Sequence, residues 1–185
     1  MSTFEALGSA ADFLGGYYVD WFDAPDGPRA AGSGYTAGNC RYDFGDIEIV
    51  IAVDGPPVSL SICAPTNVRG QFRRGDSVLL ADCHPNFKPL RLLFDPPVSA
   101  VGTQVGAIGM AGQAYDSVLY AAGADGEAQG RSVRATLRNV VGNAPFVGLR
   151  CRDGACITEA WFDVLSPDGA GSFSQVAINQ LYFVP

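Results

Sequence analysis

At 185 residues, with 48% hydrophobic and only 17% charged side chains, the chain is too apolar to be disordered and long enough for one well-cored domain, and no polar linker divides it. Its 12 Lys+Arg against 19 Asp+Glu leave a net charge of −7, which removes the attraction to polyanions on which nucleic-acid and anionic-membrane binding rest. No apolar run reaches the ~20 residues of a membrane helix, and MSTFEALGSAADFLGG lacks the basic start of a signal peptide, so neither membrane insertion nor a leader is expected in this sequence.

The 23 glycines and 12 prolines are scattered along the whole length, as turn punctuation between many short strands would be. Phe4–Leu7 is a short apolar run. In Tyr17–Phe22, Tyr17, Val19 and Trp21 alternate with Tyr18, Asp20 and Phe22, a strand with apolar residues on both faces. Asp23–Asn39 reads as a long Gly/Ala/Pro loop, and loops of that length inside a domain are usually functional or mobile. Tyr42–Phe44 comes next. Ile47–Val53 and Val58–Cys63, joined by Asp54-Gly55-Pro56-Pro57, form an antiparallel hairpin with one face in the core. Val68–Arg74 and Ser77–Ala81 are read as further strands, followed by the loop Asp82–Pro89.

Leu90–Gly102, LRLLFDPPVSAVG, is the clearest signal in the chain. Leu90, Leu92 and Phe94 alternate with Arg91 and Leu93, and Pro96-Pro97 has no N–H to give to a ladder, so the strand must end or change sheets there. Thr103–Ile108, Ser117–Ala122, Arg131–Val141, Phe146–Cys151, Ile157–Leu165 and Gln175–Val184 continue the pattern. No segment keeps a 3.6-residue period for three turns. About ten strands with turn signals every 8–15 residues predict a single all-β domain over residues 1–185, a two-sheet antiparallel β-sandwich with jelly-roll topology.

Five cysteines cannot all pair within one chain. Cys151 and Cys156 bracket Arg152-Asp153-Gly154-Ala155, a hairpin-turn sequence that lets the two side chains face each other, so a disulfide here is expected, with two buried thiols as the alternative. His84, the only histidine, sits in the turn-like Asp82-Cys83-His84-Pro85-Asn86. Neighbouring residues on an extended chain point to opposite faces, so a Cys83–His84 dyad is awkward and a loop histidine without a catalytic role is expected. A zinc site lacks a second Cys/His pair at metal spacing.

Asp20, Asp23 and Asp26 gather at the start of the long loop, and Asp43 and Asp46 at another junction. Such loop carboxylates suit a structural calcium ion, although solvated turn aspartates are the simpler account. Aromatic residues give a binding reading its content. Tyr18, Trp21 and Tyr35, with Asp23 and Asp26 nearby, suit a sugar ring stacked on an aromatic plane with its hydroxyls bonded by carboxylates. Arg134 and Arg138 share a strand face, as Arg150 and Arg152 do, and are placed to cap an acidic ligand or to lie on a solvated face.

Residues 90–185 resemble the β-sandwich domain of bacterial extracellular proteins that carry PEP-CTERM sorting signals. The resemblance is carried by LLFDPPVSAVG at Leu92–Gly102, the Ala-Asp-Gly turn ending Ser117–Gly126, PFVGLR at Pro145–Arg150, ITEAWFDV at Ile157–Val164 and FSQVAINQLYF at Phe173–Phe183. Where the family's last strand carries Ile-Asp-Asn-Leu, this chain has Ile178 followed by Asn179-Gln180, and the sorting signal's hydrophobic tail and Arg-rich end do not follow Pro185. The resemblance implies a carbohydrate-binding-module-like sandwich and an origin at the cell surface or outside the cell. The expected function is a non-catalytic module binding a glycan or another surface or matrix partner, with no cofactor beyond a structural calcium. A purely structural or assembly protein and a jelly-roll polysaccharide lyase or hydrolase are the alternatives.

Overall fold

The computed structural model describes residues 3–21, 33–36, 40–44, 46–52, 59–63, 71–73, 76–82, 90–126, 128–137, 142–167 and 173–185. For 33–36, 40–44, 59–63, Ala52 and Asp82 it describes the backbone alone. In chain order the elements are β1 (Phe4–Leu7), the 3-10 helix η1 (Ala10–Phe13), β2 (Tyr17–Val19), β3 (Ser33–Thr36), β4 (Cys40–Phe44), β5 (Ile47–Ala52), β6 (Ser59–Cys63) and β7 (Val78–Asp82). There follow β8 (Leu90–Val98), β9 (Ala100–Ile108), β10 (Ala114–Gly123), β11 (Ala128–Thr136), β12 (Phe146–Cys151), β13 (Ile157–Leu165), β14 (Gln175–Ile178) and β15 (Leu181–Val184). None of the described residues is in an α-helix, and no helix is long and apolar enough to cross a membrane.

The strands make two antiparallel sheets. One runs β11-β10-β13-β8-β5-β4. The other runs β1-β12-β9-β14-β7-β6-β3, and β15 joins it beside β14 by pairing with β9 on one edge and β2 on the other. Period-2 alternation sets which side chains face the space between them. Ile47, Ile49 and Ile51 of β5, Leu90, Leu92 and Phe94 of β8, and Ile157, Ala160, Phe162 and Val164 of β13 point inward from the first sheet. They meet Val101, Val105 and Ala107 of β9, Val147 and Leu149 of β12, Val176, Ile178, Leu181 and Phe183 in one continuous core. Phe94 and Phe183 touch across it, with ring centroids 6.5 Å apart. Burying each such side chain stabilises the fold by about 1.5–3 kcal/mol.

The strand does not end or change sheets at Pro96-Pro97 as expected: β8 runs through both prolines to Val98, and the crossing comes just after it. Leu93 pairs with Glu159 and Val98 with Ile157, so Phe94–Pro97 stand opposite Thr158 alone, and at Ser99 the chain leaves β8 for β9 in the facing sheet. Without N–H groups Pro96 and Pro97 cannot hold a regular ladder, and the irregularity falls where they sit.

Three other expectations need correction. Gln71–Arg73, expected within a strand, is irregular, because Gln71 spends its side chain as a ladder partner: Nε2 donates to Ala107 O (2.7 Å) and Oε1 accepts from Ala107 N (3.1 Å). Part of the expected loop Asp23–Asn39 is β3, which pairs with β6. The terminal strand expected over Gln175–Val184 is two strands. Ile178 pairs with Val105 and Tyr182 with Gly102, so three residues, Asn179–Leu181, oppose two, Thr103 and Gln104, and the ladder bulges. At this bulge the neighbouring strand also changes, from β7 beside β14 to β2 beside β15.

The outer face of β9 decides what lies above that bulge. Ala100, Gly102, Gln104, Gly106 and Ile108 alternate outward. A Cβ on Gly102 would lie 2.8 Å from Phe13 Cζ, and one on Gly106 would lie 2.6 Å from Gln71 Oε1 and 3.0 Å from Phe72 Cζ. The two glycines are therefore seats. Phe13 of η1 settles over the first with Leu7 and Ala100, against Phe146, Tyr182 and Val184. Phe72 settles near the second with Val78, Leu80, Ala144 and Ala177. Gln104 stands between the two apolar lids.

Candidate binding cleft

Between those lids lies an open cleft of about 340 Å³, lined by Gly8–Ala11, Arg73, Asp76, Gln104, Phe146, Asn179, Gln180 and Tyr182. Its floor is the bulge. Asn179, only 5% exposed, accepts from Gln104 N (3.3 Å) at Oδ1 and donates from Nδ2 to Gln104 Oε1 (2.7 Å) and Asp76 Oδ2 (3.4 Å). Gln104 Nε2 donates to Ala144 O (3.0 Å), which fixes the direction of its amide. From below, the buried Thr103 hydroxyl donates to Gln180 O (2.8 Å), and the Trp21 indole N–H donates to Asn179 O (2.5 Å). A bulge frees backbone polar groups from the ladder, and these side chains satisfy them.

One wall is the stretch Gly8–Ala11. Asp12 Oδ2 accepts from Gly8 N (2.8 Å) and Ser9 N (2.9 Å), and these backbone bonds hold the Asp12 carboxyl below the usual carboxylate range. The Arg150 guanidinium donates to Asp12 O, and that of Arg131 to Leu7 O and Gly148 O, tying the stretch to β12. On the opposite wall Asp76 Oδ2 also accepts from Arg73 N (3.0 Å). Tyr182 donates its hydroxyl to Gln180 Oε1 (2.8 Å). Burial, reinforced by the Asp76 carboxylate and Tyr18, raises the Tyr182 pKa, so the phenol stays a neutral hydrogen-bond donor. The cleft thus offers an aromatic face beside a carboxylate, three amides and the Ser9 hydroxyl.

The residues singled out in the sequence are dispersed. Tyr18 is the cross-strand partner of Tyr182, their ring centroids 6.0 Å apart, and is 56% exposed at the cleft's edge. Trp21 is fully buried, so the expectation that it offers a sugar a face is corrected: its side chain is core, and its N–H supports the bulge. Asp20 accepts a hydrogen bond from the Ser77 hydroxyl. Asp23, Asp26, Arg138, Cys83 and His84 lie outside the described residues, and of Tyr35 only the backbone is described, in β3. Among the described residues no three His, Cys, Asp or Glu gather as metal ligands. Arg134 does not offer a free guanidinium: it grips Asp116 with two bonds of 2.9 and 3.0 Å on the outer face of the other sheet. Cys151 and Cys156 are joined by a disulfide, with Cα atoms 6.2 Å apart.

Gln104, Asn179, Asp76 and Tyr182 were not marked by the sequence as site residues. The available signals were the Ala-Gly-Gln-Gly alternation along β9 and the Asn179-Gln180 pair interrupting an apolar strand. Comparison with protein-family models, curated proteins and solved structures finds no match to this chain.

One group outside the cleft also bears on stability. Asp163, on β13 opposite Val118, is half-buried, and burial pushes its carboxyl up to about 6 despite the bond it accepts from Val164 N (2.7 Å). The folded chain therefore holds this proton more tightly than the unfolded chain does. Stability from this group is greatest below the ordinary carboxyl range and declines as pH rises towards about 6. Asp163→Asn is expected to gain about 1–2 kcal/mol in urea unfolding near pH 7.5 and nothing near pH 4. An equal gain at both pH values would show that the carboxylate is not the cause.

Proposed function

We propose that the chain is a non-catalytic β-sandwich module that binds a glycan unit in the cleft over the β14/β15 bulge. The observation that carries this reading is the composition of the lining: the Tyr182 ring and Phe146 stand beside Asp76, Gln104, Asn179 and Gln180. A sugar presents an apolar C–H face for aromatic contact and a rim of hydroxyls that pair with carboxylate and amide groups, so a few convergent polar groups beside a ring are what its recognition needs. Asp76 is the one carboxylate among the described lining residues, whereas the usual glycoside hydrolysis sets two across the scissile bond.

Strand order adds to the reading. Within the two sheets, β7-β14-β9-β12 is matched by β8-β13-β10-β11, and among these eight strands β10–β11 is the consecutive pair that stays within its sheet. We read this as two Greek keys, hence a jelly roll, in keeping with the sequence resemblance to bacterial extracellular sandwich domains. A cell-surface or extracellular location is part of the same proposal.

The test is a glycan array of neutral and uronic-acid-containing oligosaccharides, followed by calorimetric titration of each hit. Asp76→Asn is expected to weaken a hit about tenfold, through loss of a charged hydrogen bond, with the melting temperature little changed. Silence across the array, or hits indifferent to Asp76→Asn, would overturn the assignment to this cleft.

A further inference from the structure

We propose that the Cys151–Cys156 disulfide is a redox clasp for the strip β1–η1, whose residues Gly8–Ala11 form one wall of the cleft. Among the described residues β1 is an edge strand that pairs only with β12, Phe4 opposite Cys151 and Leu7 opposite Gly148. Of its four residues Leu7 is buried and Phe4, half-buried, packs against the core, while Glu5 and Ala6 are exposed, so apolar packing holds it through two of its four side chains. Its start is fixed by the turn that the disulfide closes. Arg152 N donates to Thr3 O (2.8 Å), Thr3 N donates to Asp153 Oδ2 (2.9 Å), and the Arg152 guanidinium lies 3.6 Å from the Glu5 carboxylate. The same strip continues into Gly8–Ala11, the cleft wall, and into Phe13 on its glycine seat.

Cys151 is buried at the end of β12, where its N–H bonds Ser99 O, whereas Cys156 is half-buried and the four turn residues between them are exposed. A dithiol reductant reaches the Cys156 sulfur more readily. Its thiolate attacks Cys156 Sγ and the S–S bond breaks, Cys151 leaving as a thiolate that takes up a proton. The reductant's second thiol then displaces Cys156 and closes a cyclic disulfide. Two electrons and two protons pass to the protein, which gains two thiols. The turn then regains conformational freedom, and the three contacts that pin the start of β1 lose their rigid support.

The expected effect is local opening. Hydrogen exchange followed by mass spectrometry on the intact chain, without ligand, should show the amides of residues 4–13 exchanging about tenfold faster after dithiothreitol treatment, with β9, β13 and β14 unchanged. The Cys151→Ala/Cys156→Ala double variant should show the fast exchange before dithiothreitol and no further change after it, which separates this bond from the other three cysteines. If the double variant does not fold, peptide mapping of the reduced wild-type chain assigns the thiols to the same exchange data. Equal exchange in oxidised and reduced chains overturns the clasp. Its consequence for ligand affinity, a several-fold weakening of an array hit on reduction, rests on the proposed binding function. The exchange measurement does not, so a silent array and an inert disulfide are separate results.

Discussion

Gly102→Val is expected to cost about 3 kcal/mol and to lift η1 off the sandwich. A Cβ at this position would lie 2.8 Å from Phe13 Cζ, 2.9 Å from Gly148 Cα and 2.9 Å from Val147 O. Two of these three atoms belong to the backbone of β12, which is laddered to β9 and cannot withdraw, so the Phe13 ring must leave its seat and the strands must also part. Losing the seat exposes Phe13, Leu7 and Ala100 together and removes the support of the Gly8–Ala11 wall. Urea unfolding measures the first effect, and the second appears as faster amide exchange over residues 8–13. Gly8→Ala is the control. Nothing lies within 4 Å of its Cβ position, and it should stay within about 0.5 kcal/mol of wild type. Phe13→Ala should cost less in the Gly102→Val background than alone, since the ring has already been displaced. An unchanged midpoint for Gly102→Val would show that β9 and β12 do not approach as described.

Why the sequence reveals the sandwich and hides the cleft follows from the kind of signal each leaves. Ile47, Ile49 and Ile51, or Leu90, Leu92 and Phe94, repeat at the period of the strand, so both the element and its buried face can be read locally. Pro96-Pro97 marks the break in the ladder equally plainly, because a missing N–H acts wherever it occurs, but not the crossing, which comes at Ser99. The cleft is assembled from residues distant in the chain: Gly8 and Ser9 line it together with Gln104, and Asp76 bonds Asn179, 103 residues later. Nothing local marks Gly102 and Gly106 as seats for Phe13 and Phe72, because a glycine in a strand reads first as a weakness or a bulge. Trp21 misled for a related reason. Alternation with Asp20 and Phe22 suggested a two-faced strand, but β2 ends at Val19, and the indole turns inward to bond Asn179 O. Gln175–Val184 has the composition of one strand, and only the pairing register shows the extra residue.

Asn179 is the residue on which bulge and cleft both depend, and two substitutions there separate its roles. Asn179→Leu keeps much of the volume and removes the hydrogen bonds. Gln104 N and Gln104 Oε1 then lose their partner on the half-buried floor of the cleft, for an expected loss of about 2 kcal/mol at any pH between 4 and 8. Asn179→Asp keeps the shape and replaces the Nδ2 donor with a second oxygen. That oxygen faces Gln104 Oε1 across 2.7 Å and Asp76 Oδ2 across 3.4 Å. Gln104 cannot turn its amide to help without giving up the bond from Nε2 to Ala144 O. The new carboxyl therefore favours its protonated form in the fold, where the O–H donates to Gln104 Oε1 as the amide did. A folded-state pKa above the unfolded one gives full stability at low pH and a loss that grows as pH rises. Asn179→Asp should match wild type near pH 4 and lose about 2–3 kcal/mol near pH 7.5 in paired urea titrations. Asp76→Asn in the same chain should restore part of that loss, since it removes the like charge, whereas a pH-independent deficit would place the fault in packing. Asp76 supplies the reason for the amide at Asn179: with one carboxylate already on the wall, the floor takes a neutral donor.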